Sequence, residues 1–356
     1  RTGLAKATVG AIVADLVVGG AVRDYEQVRS GDRGRPGLRL TVAGGRPVGI
    51  GFEANVEYVS AVVIDLSGAV RHRVTRVVPD VVQVEPALAG LAAEVAVLLR
   101  AEDEHAVGAT VAIPGLIAGD DRTIAWTPNL GITGTSVAEL VDDAFGWQDR
   151  TRLSNDADCA ALAELHHGAG RGSGHMLYLT GTVGIGAGLV EDGRLVRGAR
   201  GFAGEVGHLP IGEPGARCGC GRLGCWEATI GLHAMLAKVG LPELDTPERT
   251  ARTVAELAAA DPVVRTALEE IGAHLGRGLA ILTGLLDPAV IVVGGYFGPL
   301  ADVVLAPAGA VLDATLAAPV QGRPDLRVGE LGTESAALGA AERALDELYA
   351  GRLELG

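Results

Sequence analysis

Aromatic side chains are nearly missing from this chain: Phe, Trp and Tyr make up 3% of its 356 residues. Its cores must therefore be built from Val, Leu, Ile and Ala. Cysteine is scarce as well, with four residues, three of them crowded between positions 218 and 225. That pattern excludes a secreted disulfide framework. No run of eighteen uncharged apolar residues is present, so the sequence predicts no membrane span and no membrane partner. A basic-then-apolar leader is also absent at Arg1, and a cytoplasmic location is the simplest reading. Positive charge is short overall. The net charge of −14 argues against a protein that binds nucleic acid over its whole body.

What is present is a folding chain, 48% hydrophobic and 21% charged, long enough for two domains. The charge is unevenly placed. Residues 1–40 hold seven Lys/Arg against four Asp/Glu, a basic head on an acidic body. In the head, Leu4, Val9, Ile12, Val13 and Leu16 share one helical stripe that ends at Gly19 and Gly20. The segments "AVRDYEQV" and "LRLTV" read as strands joined by the turn "RSGDRGRPG". A helix followed by a two-stranded wing is the back half of a winged helix-turn-helix, whose first helix would precede Arg1. An ordinary helix and hairpin with solvated arginines fits the spacing equally well.

From Val48 the pattern is strand, turn, strand, turn, strand. Residues 175–198 repeat it. Each block is followed by alternating helices and strands. The first is followed by a helix near 86–100, a strand at 107–113 and a helix from Ser136, with Ser136 and Glu139 as a capping box. The second is followed by a helix near 262–285 and a strand at 290–295. A duplicated βββαβα unit predicts an α/β, two-lobed actin-like or sugar-kinase (RNase H-like) fold, here with a partial N-terminal winged helix-turn-helix. The expected boundaries are 1–44 for the head, 45–153 plus 334–356 for the first lobe, and 154–333 for the second. A C-terminal helix near 334–349 should pack back on the first lobe.

His208, Cys218, Cys220 and Cys225 form the densest chemical cluster. Three thiolates and an imidazole suit tetrahedral Zn(II), and four protein ligands make such a site structural. Buried free thiols are the alternative. Cys159 stands alone in a helix and reads as core. Glu205 and Glu227 flank the cluster. Carboxylates beside an imidazole match the hydroxyls of a sugar, each of which donates and accepts.

The stretch "RGARGFAGEVGHLPIGEPGARCGCGRLGCWEA" closely resembles the signature of the ROK family, whose members are sugar-responsive repressors and sugar kinases. "AIPGLI" (112–117), "WTPNLG" (126–131), "SNDADCAALAE" (154–164), "TGTVGIGAG" (180–188) and "VVGGYFG" (292–298) follow in family order. "TGLAKATV" and "GRPGLRL" resemble the helix and wing of the family's repressors. The resemblance implies a sugar in the cleft between lobes, held by Asn129, Asn155, Asp156, Glu205, His208 and Glu227. It also implies zinc on His208, Cys218, Cys220 and Cys225. In the family's kinases the aspartate matching Asp156 is the general base. Asn155 can cap the following helix, whose dipole should keep Asp156 ionised.

The kinases place Asp-x-Gly-Gly-Thr in the first hairpin. Here that stretch is Glu53-Ala54-Asn55-Val56-Glu57, with both glycines lost and an acid where the threonine would be. The favoured reading is thus a non-enzymatic, sugar-responsive repressor, with Asp156 vestigial as a base. Its partners would be a sugar or sugar phosphate and a two-fold operator, bound as a homodimer or homotetramer. Lys6 and Thr8 would face the major groove, and Arg29, Arg33 and Arg35 the phosphates or minor groove. An active sugar kinase and a regulator that no longer senses sugar are the competing readings.

Overall fold

The computed structural model describes residues 3–28, 37–182, 184–242, 247–316 and 322–350. The head opens with α1 (Lys6–Val18), followed by β1 (Val22–Val28) and β2 (Gly37–Val42). The two strands pair antiparallel, with Val22 opposite Val42 and Val28 opposite Gly37. No side chain of α1 is buried. Val9, Val13 and Leu16 are half-covered, whereas Leu4 and Ile12 of the expected stripe face water. Lys6 and Thr8 are exposed near the start of α1. Arg29, Arg33 and Arg35 lie outside the described residues.

The first large sheet begins with β3 (Pro47–Ala54), β4 (Tyr58–Asp65) and β5 (Val70–Val77), an antiparallel meander. All eight residues of β3 are buried, as a strand covered on both faces requires. β5 forms the sheet edge and blunts it with Arg71, His72, Arg73 and Arg76. α2 (Val84–Ala101) leads to β6 (His105–Ile113), which lies parallel beside β3. A hairpin of β7 (Leu116–Ile117) and β8 (Ile124–Trp126) follows. Then come α3 (Ser136–Phe145), β9 (Thr151–Asn155) and α4 (Asp156–His167).

The second sheet starts with β10 (Met176–Gly181), β11 (Ile185–Glu191) and β12 (Arg194–Leu195). After a long loop come α5 (Glu227–Ile230), α6 (Leu232–Val239), α7 (Pro247–Ala260) and α8 (Pro262–Leu286). β13 (Val290–Gly295) runs parallel to β10, and after α9 (Phe297–Thr315) β14 (Asp325–Val328) runs parallel to β13. The last element is α10 (Ser335–Tyr349). The sheet orders are β5-β4-β3-β6-β9 and β12-β11-β10-β13-β14. In both, the third, second, first, fourth and fifth strands lie side by side, so the duplication is a real repeat of topology.

Two compact units result. One comprises 1–113, 134–154 and 340–356, and the other 114–133 and 155–339. The β7–β8 hairpin follows a strand of the first unit yet packs into the second. The C-terminal half of α10 packs in the first unit, where the Tyr349 hydroxyl donates to the Leu66 carbonyl at 3.0 Å.

One sequence expectation needs correction. Ser136 and Glu139 do not make a capping box. Thr135 is the N-cap, and its hydroxyl reaches Glu139 Oε1 at 2.6 Å. Ser136 instead donates to Glu85 Oε1 at 2.7 Å, a tertiary carboxylate that outcompetes the local partner. By length and composition alone, α9, and α2 with its leading turn, could cross a membrane, although neither is an uncharged run of eighteen. Charges interrupt both (Glu85, Glu94 and Arg100 in α2; Asp302 and Asp313 in α9), which a search for uncharged runs rejects. Each buries a stripe, Leu88, Leu91, Val95 and Leu99 in α2 and Leu300, Val304, Ala308 and Leu312 in α9, and their apolarity serves core packing.

α4 and α10 cross so closely that a Cβ on Gly339 would collide with the Cys159 carbonyl. Gly339→Ala should cost about 1–3 kcal/mol as overpacking and lower the thermal midpoint. Gly298→Ala in α9, where a Cβ meets open space, should be neutral or slightly stabilising. Equal midpoints for the two variants would refute the close crossing.

Candidate functional site

The loop from Gly204 to Glu227 is ordered by turns that only its glycines permit. Gly221 and Gly224 adopt positive φ of 87° and 75°. Around them, Cys218 N–H donates to the Arg222 carbonyl at 2.9 Å, and Gly224 N–H to the Ala216 carbonyl at 2.8 Å. Trp226 anchors the loop from below. It is 1% exposed, its ring lies where a Cβ on Gly278 of α8 would fall, and its Nε1–H donates to the His274 carbonyl at 3.1 Å.

These turns bring one ligand atom each from His208, Cys218, Cys220 and Cys225 within 4.8 Å of one another. His208 Nδ1 lies 3.7 Å from Cys218 Sγ, and Cys220 Sγ 3.6 Å from Cys225 Sγ. A tetrahedral ion with metal–sulfur bonds of ~2.3 Å places its ligands ~3.8 Å apart. The donor set and its spacing fit such an ion. With Nδ1 turned to the thiols, Nε2 is the ring nitrogen left for another partner.

Beside this cluster lies a small cleft that opens to solvent, with room for about 90 Å³. Asn129, Asn155, Asp156, Glu205, His208 and Glu227 all line it, and all six belong to the second unit. Four separate chain segments deliver them. Asn129 sits in a turn after β8, pinned by the Thr127 hydroxyl, which donates to the Ile132 carbonyl at 2.7 Å. Glu205 leads into a 3₁₀ turn, Val206–His208, that carries the imidazole. Glu227 opens α5 directly after the cysteines.

Asn155 and Asp156 form the joint between β9 and α4. Asn155 Oδ1 caps α4 by accepting from the N–H groups of Ala157 at 2.9 Å and Asp158 at 3.2 Å. Its Nδ2 donates to the Gly115 carbonyl at 3.1 Å, so most of this amide is already engaged. At Asp156 burial works against the helix dipole, yet a carboxyl raised only to about 6 is still mostly ionised at pH 7. Asp156 is 8% exposed, and burial pushes its carboxyl up to about 6 despite the Ala157 N–H, with the Glu205 charge adding to the rise. Burial likewise raises Glu205; His208 opposes this and Glu227 adds to it.

Glu227 bridges the cavity and the cluster. Its Oε2 accepts from Ile185 N–H at 2.8 Å, and Oε1 lies 3.4 Å from Cys218 Sγ. Three glycines between 181 and 188 let other parts of the protein approach the backbone closely. A Cβ on Gly184 would meet Glu227, one on Gly181 the buried Tyr296 ring, and one on Gly188 the Ala157 carbonyl.

The sequence reading missed Trp126 and Arg197. Trp126 is 41% exposed and lines the cavity, a flat apolar face in a chain with three tryptophans. Its signal was its place in "WTPNLG". Arg197 grips Asp121 in the β7–β8 turn with two bonds, at 3.0 and 2.5 Å, and ties that hairpin to the Glu205 loop. No local motif marks that pair.

The chain is 27% identical over 295 residues to a xylose repressor of Bacillus spizizenii, covering 82% of this chain and 75% of that one. Its fold is similar to that of a ROK family transcriptional regulator described as a homologue of the E. coli MLC protein. That likeness has a TM-score of 0.81 and 22% identity, over 98% of this chain and 90% of the regulator. The ROK hexokinase from Thermus thermophilus matches with a TM-score of 0.68 and 31% identity, over 85% of this chain and all of the hexokinase. The ROK family model covers residues 49–347, the span that holds both sheets, the cysteine–histidine loop and the cavity; the chain belongs to the ROK family.

Proposed function

We propose that this chain is a sugar-responsive, DNA-binding transcriptional repressor of carbohydrate metabolism, with zinc on His208, Cys218, Cys220 and Cys225. Zinc, bound by four protein ligands, would have no open position and would shape the loop without activating water. Asn129, Asp156, Glu205, Glu227 and His208 Nε2 would then hold the sugar hydroxyls, with Asn155 positioning the joint. The carrying observation is Glu227, which joins the cavity wall to the cysteine–histidine loop by accepting from Ile185 N–H at 2.8 Å and lying 3.4 Å from Cys218 Sγ. The first hairpin agrees: Glu53 is 2% exposed and accepts from the Tyr58 hydroxyl at 2.6 Å, where the kinase pattern has a phosphate-binding turn.

The head supports the DNA-binding half. α1 carries Lys6 and Thr8 exposed at its start and is followed by the β1–β2 hairpin, the order of a recognition helix and wing. Arg29, Arg33 and Arg35 fall in the segment joining those strands and would reach phosphates or the minor groove. A two-fold operator calls for a homodimer or homotetramer. Such a protein would work in the cytoplasm. Asn155 and Asp156 open the long segment of the second unit, directly after the first unit's stretch ends at Ser154.

A second reading, an active sugar kinase, has one observation in its favour. A carboxyl at about 6 suits a general base working near neutral pH. A coupled assay decides between the two. Sugar-dependent ATP consumption abolished by Asp156→Asn would establish the kinase and refute the repressor-only reading.

Three outcomes are expected. Fluorescence anisotropy on a selected two-fold operator should show binding that shifts with one sugar and weakens steeply with salt. Lys6→Ala should weaken it uniformly across sequences, and salt-independent binding would count against the assignment. Cys220→Ser should lose zinc, read by atomic absorption, and sugar affinity together; unchanged sugar affinity would break the proposed link.

The third outcome concerns pH. Asp156 titrates near 6 in the fold and near 3.8 when unfolded, so the fold favours its protonated form. Sugar affinity should fall as pH drops through about 6, because the acceptor is lost. Stability should run the other way, weakening as pH rises through 6 by up to about 3 kcal/mol. Asp156→Asn should remove both dependences. A wild-type profile that stays flat between pH 5 and 8 would remove Asp156 from the site.

A further inference from the structure

We infer that the cavity is built for an uncharged sugar and rejects the phosphorylated form of the same sugar, an inference that rests on the sugar-binding reading. Three carboxylates line it, Asp156, Glu205 and Glu227, while the described lining residues include neither lysine nor arginine. A phosphate ester carries nearly two negative charges at neutral pH, and like charges at contact distance in a partly desolvated site repel strongly. The crowding is already felt among the carboxyls, since Glu205 helps to push Asp156 upward.

Backbone groups could in principle replace cationic side chains. Helix N-termini and glycine-rich turns are the usual anion cradles. Both are present here, and four of their described N–H groups already have partners. The first N–H groups of α4, at Ala157 and Asp158, donate to Asn155 Oδ1 at 2.9 and 3.2 Å. In the glycine-rich turn, Ile185 N–H donates to Glu227 at 2.8 Å, and Thr182 N–H to the Gly184 carbonyl at 3.0 Å. The Arg197 guanidinium, beside the β7–β8 hairpin, is held by Asp121 on two of its nitrogens. The cysteine cluster brings no relief, because a divalent ion on three thiolates carries no net positive charge. The cavity thus offers acceptors, an imidazole, an amide and an apolar Trp126 face to neutral hydroxyls. Among its described lining residues it sets no lysine or arginine against the charge of a phosphate.

Isothermal calorimetry on the full chain tests this at about pH 8, where the carboxyls are ionised. The probes are D-glucose and N-acetyl-D-glucosamine beside their 6-phosphates, with D-xylose as a sugar lacking the sixth carbon. A free sugar should bind at least ~100-fold more tightly than its phosphate. That gap should narrow between about 50 and about 300 mM NaCl, as screening weakens the repulsion. Glu205→Gln should also narrow it, by relieving the phosphate ester more than the free sugar, in protein whose thermal midpoint is unchanged. A phosphate ester that binds as well as its free sugar, with affinity that falls as salt rises, would overturn the inference and leave the sugar-binding reading standing. No heat from any sugar, free or phosphorylated, would overturn both.

Discussion

One carboxylate holds the candidate site together. Glu227 accepts from the amide of Ile185 in the β10–β11 turn and stands against Cys218 in the cysteine–histidine loop. Turn, loop and cavity wall meet at this side chain. Its position depends in turn on Trp226, whose ring packs at Gly278 and whose indole N–H is bonded to α8. The chain therefore plants a reactive-looking loop on the longest helix of its second unit. The three cysteines, Trp226 and Glu227 are neighbours in sequence because they are successive parts of one anchor.

The same bond engages one amide of the glycine-rich turn. Glycines in a strand–turn–strand segment ordinarily suggest room for a phosphate to approach the backbone. Here their small size has other uses. Gly181 admits the Tyr296 ring, Gly184 admits Glu227, and Gly188 admits the backbone of α4. An identical string of residues can serve an open cradle or a filled one, and only the neighbours decide. In this chain the neighbours take the space beside these three glycines.

The periodic features were legible in the sequence. The duplicated strand blocks, the long apolar helices and the start of β13 at Val290 follow from hydrophobic period and turn chemistry. The cysteine–histidine cluster was equally legible, because its ligands sit within eighteen residues and glycines set their spacing. What escaped depends on distance along the chain. Ser136 prefers Glu85, fifty-one residues away, to its local cap. Arg197 finds Asp121 across seventy-six residues. The raised Asp156 carboxyl is a third case. Sequence shows the helix dipole that would lower it but not the burial that wins.

That contest at Asp156 carries the last step. A carboxylate at a capped helix start is ordinarily comfortable in water. Burying it beside two further acids is unfavourable unless something returns the lost hydration. The protein supplies little: Asn155 spends its oxygen on the cap and one amide hydrogen on Gly115. The missing donors are what a ring of neutral hydroxyls would provide. A polyol entering the cavity satisfies acceptors that the fold leaves crowded, and its hydroxyl protons offset the repulsion among the acids. A ligand hydroxyl that donates to Asp156 would favour its charged form, so binding there would be coupled to the proton on that carboxyl.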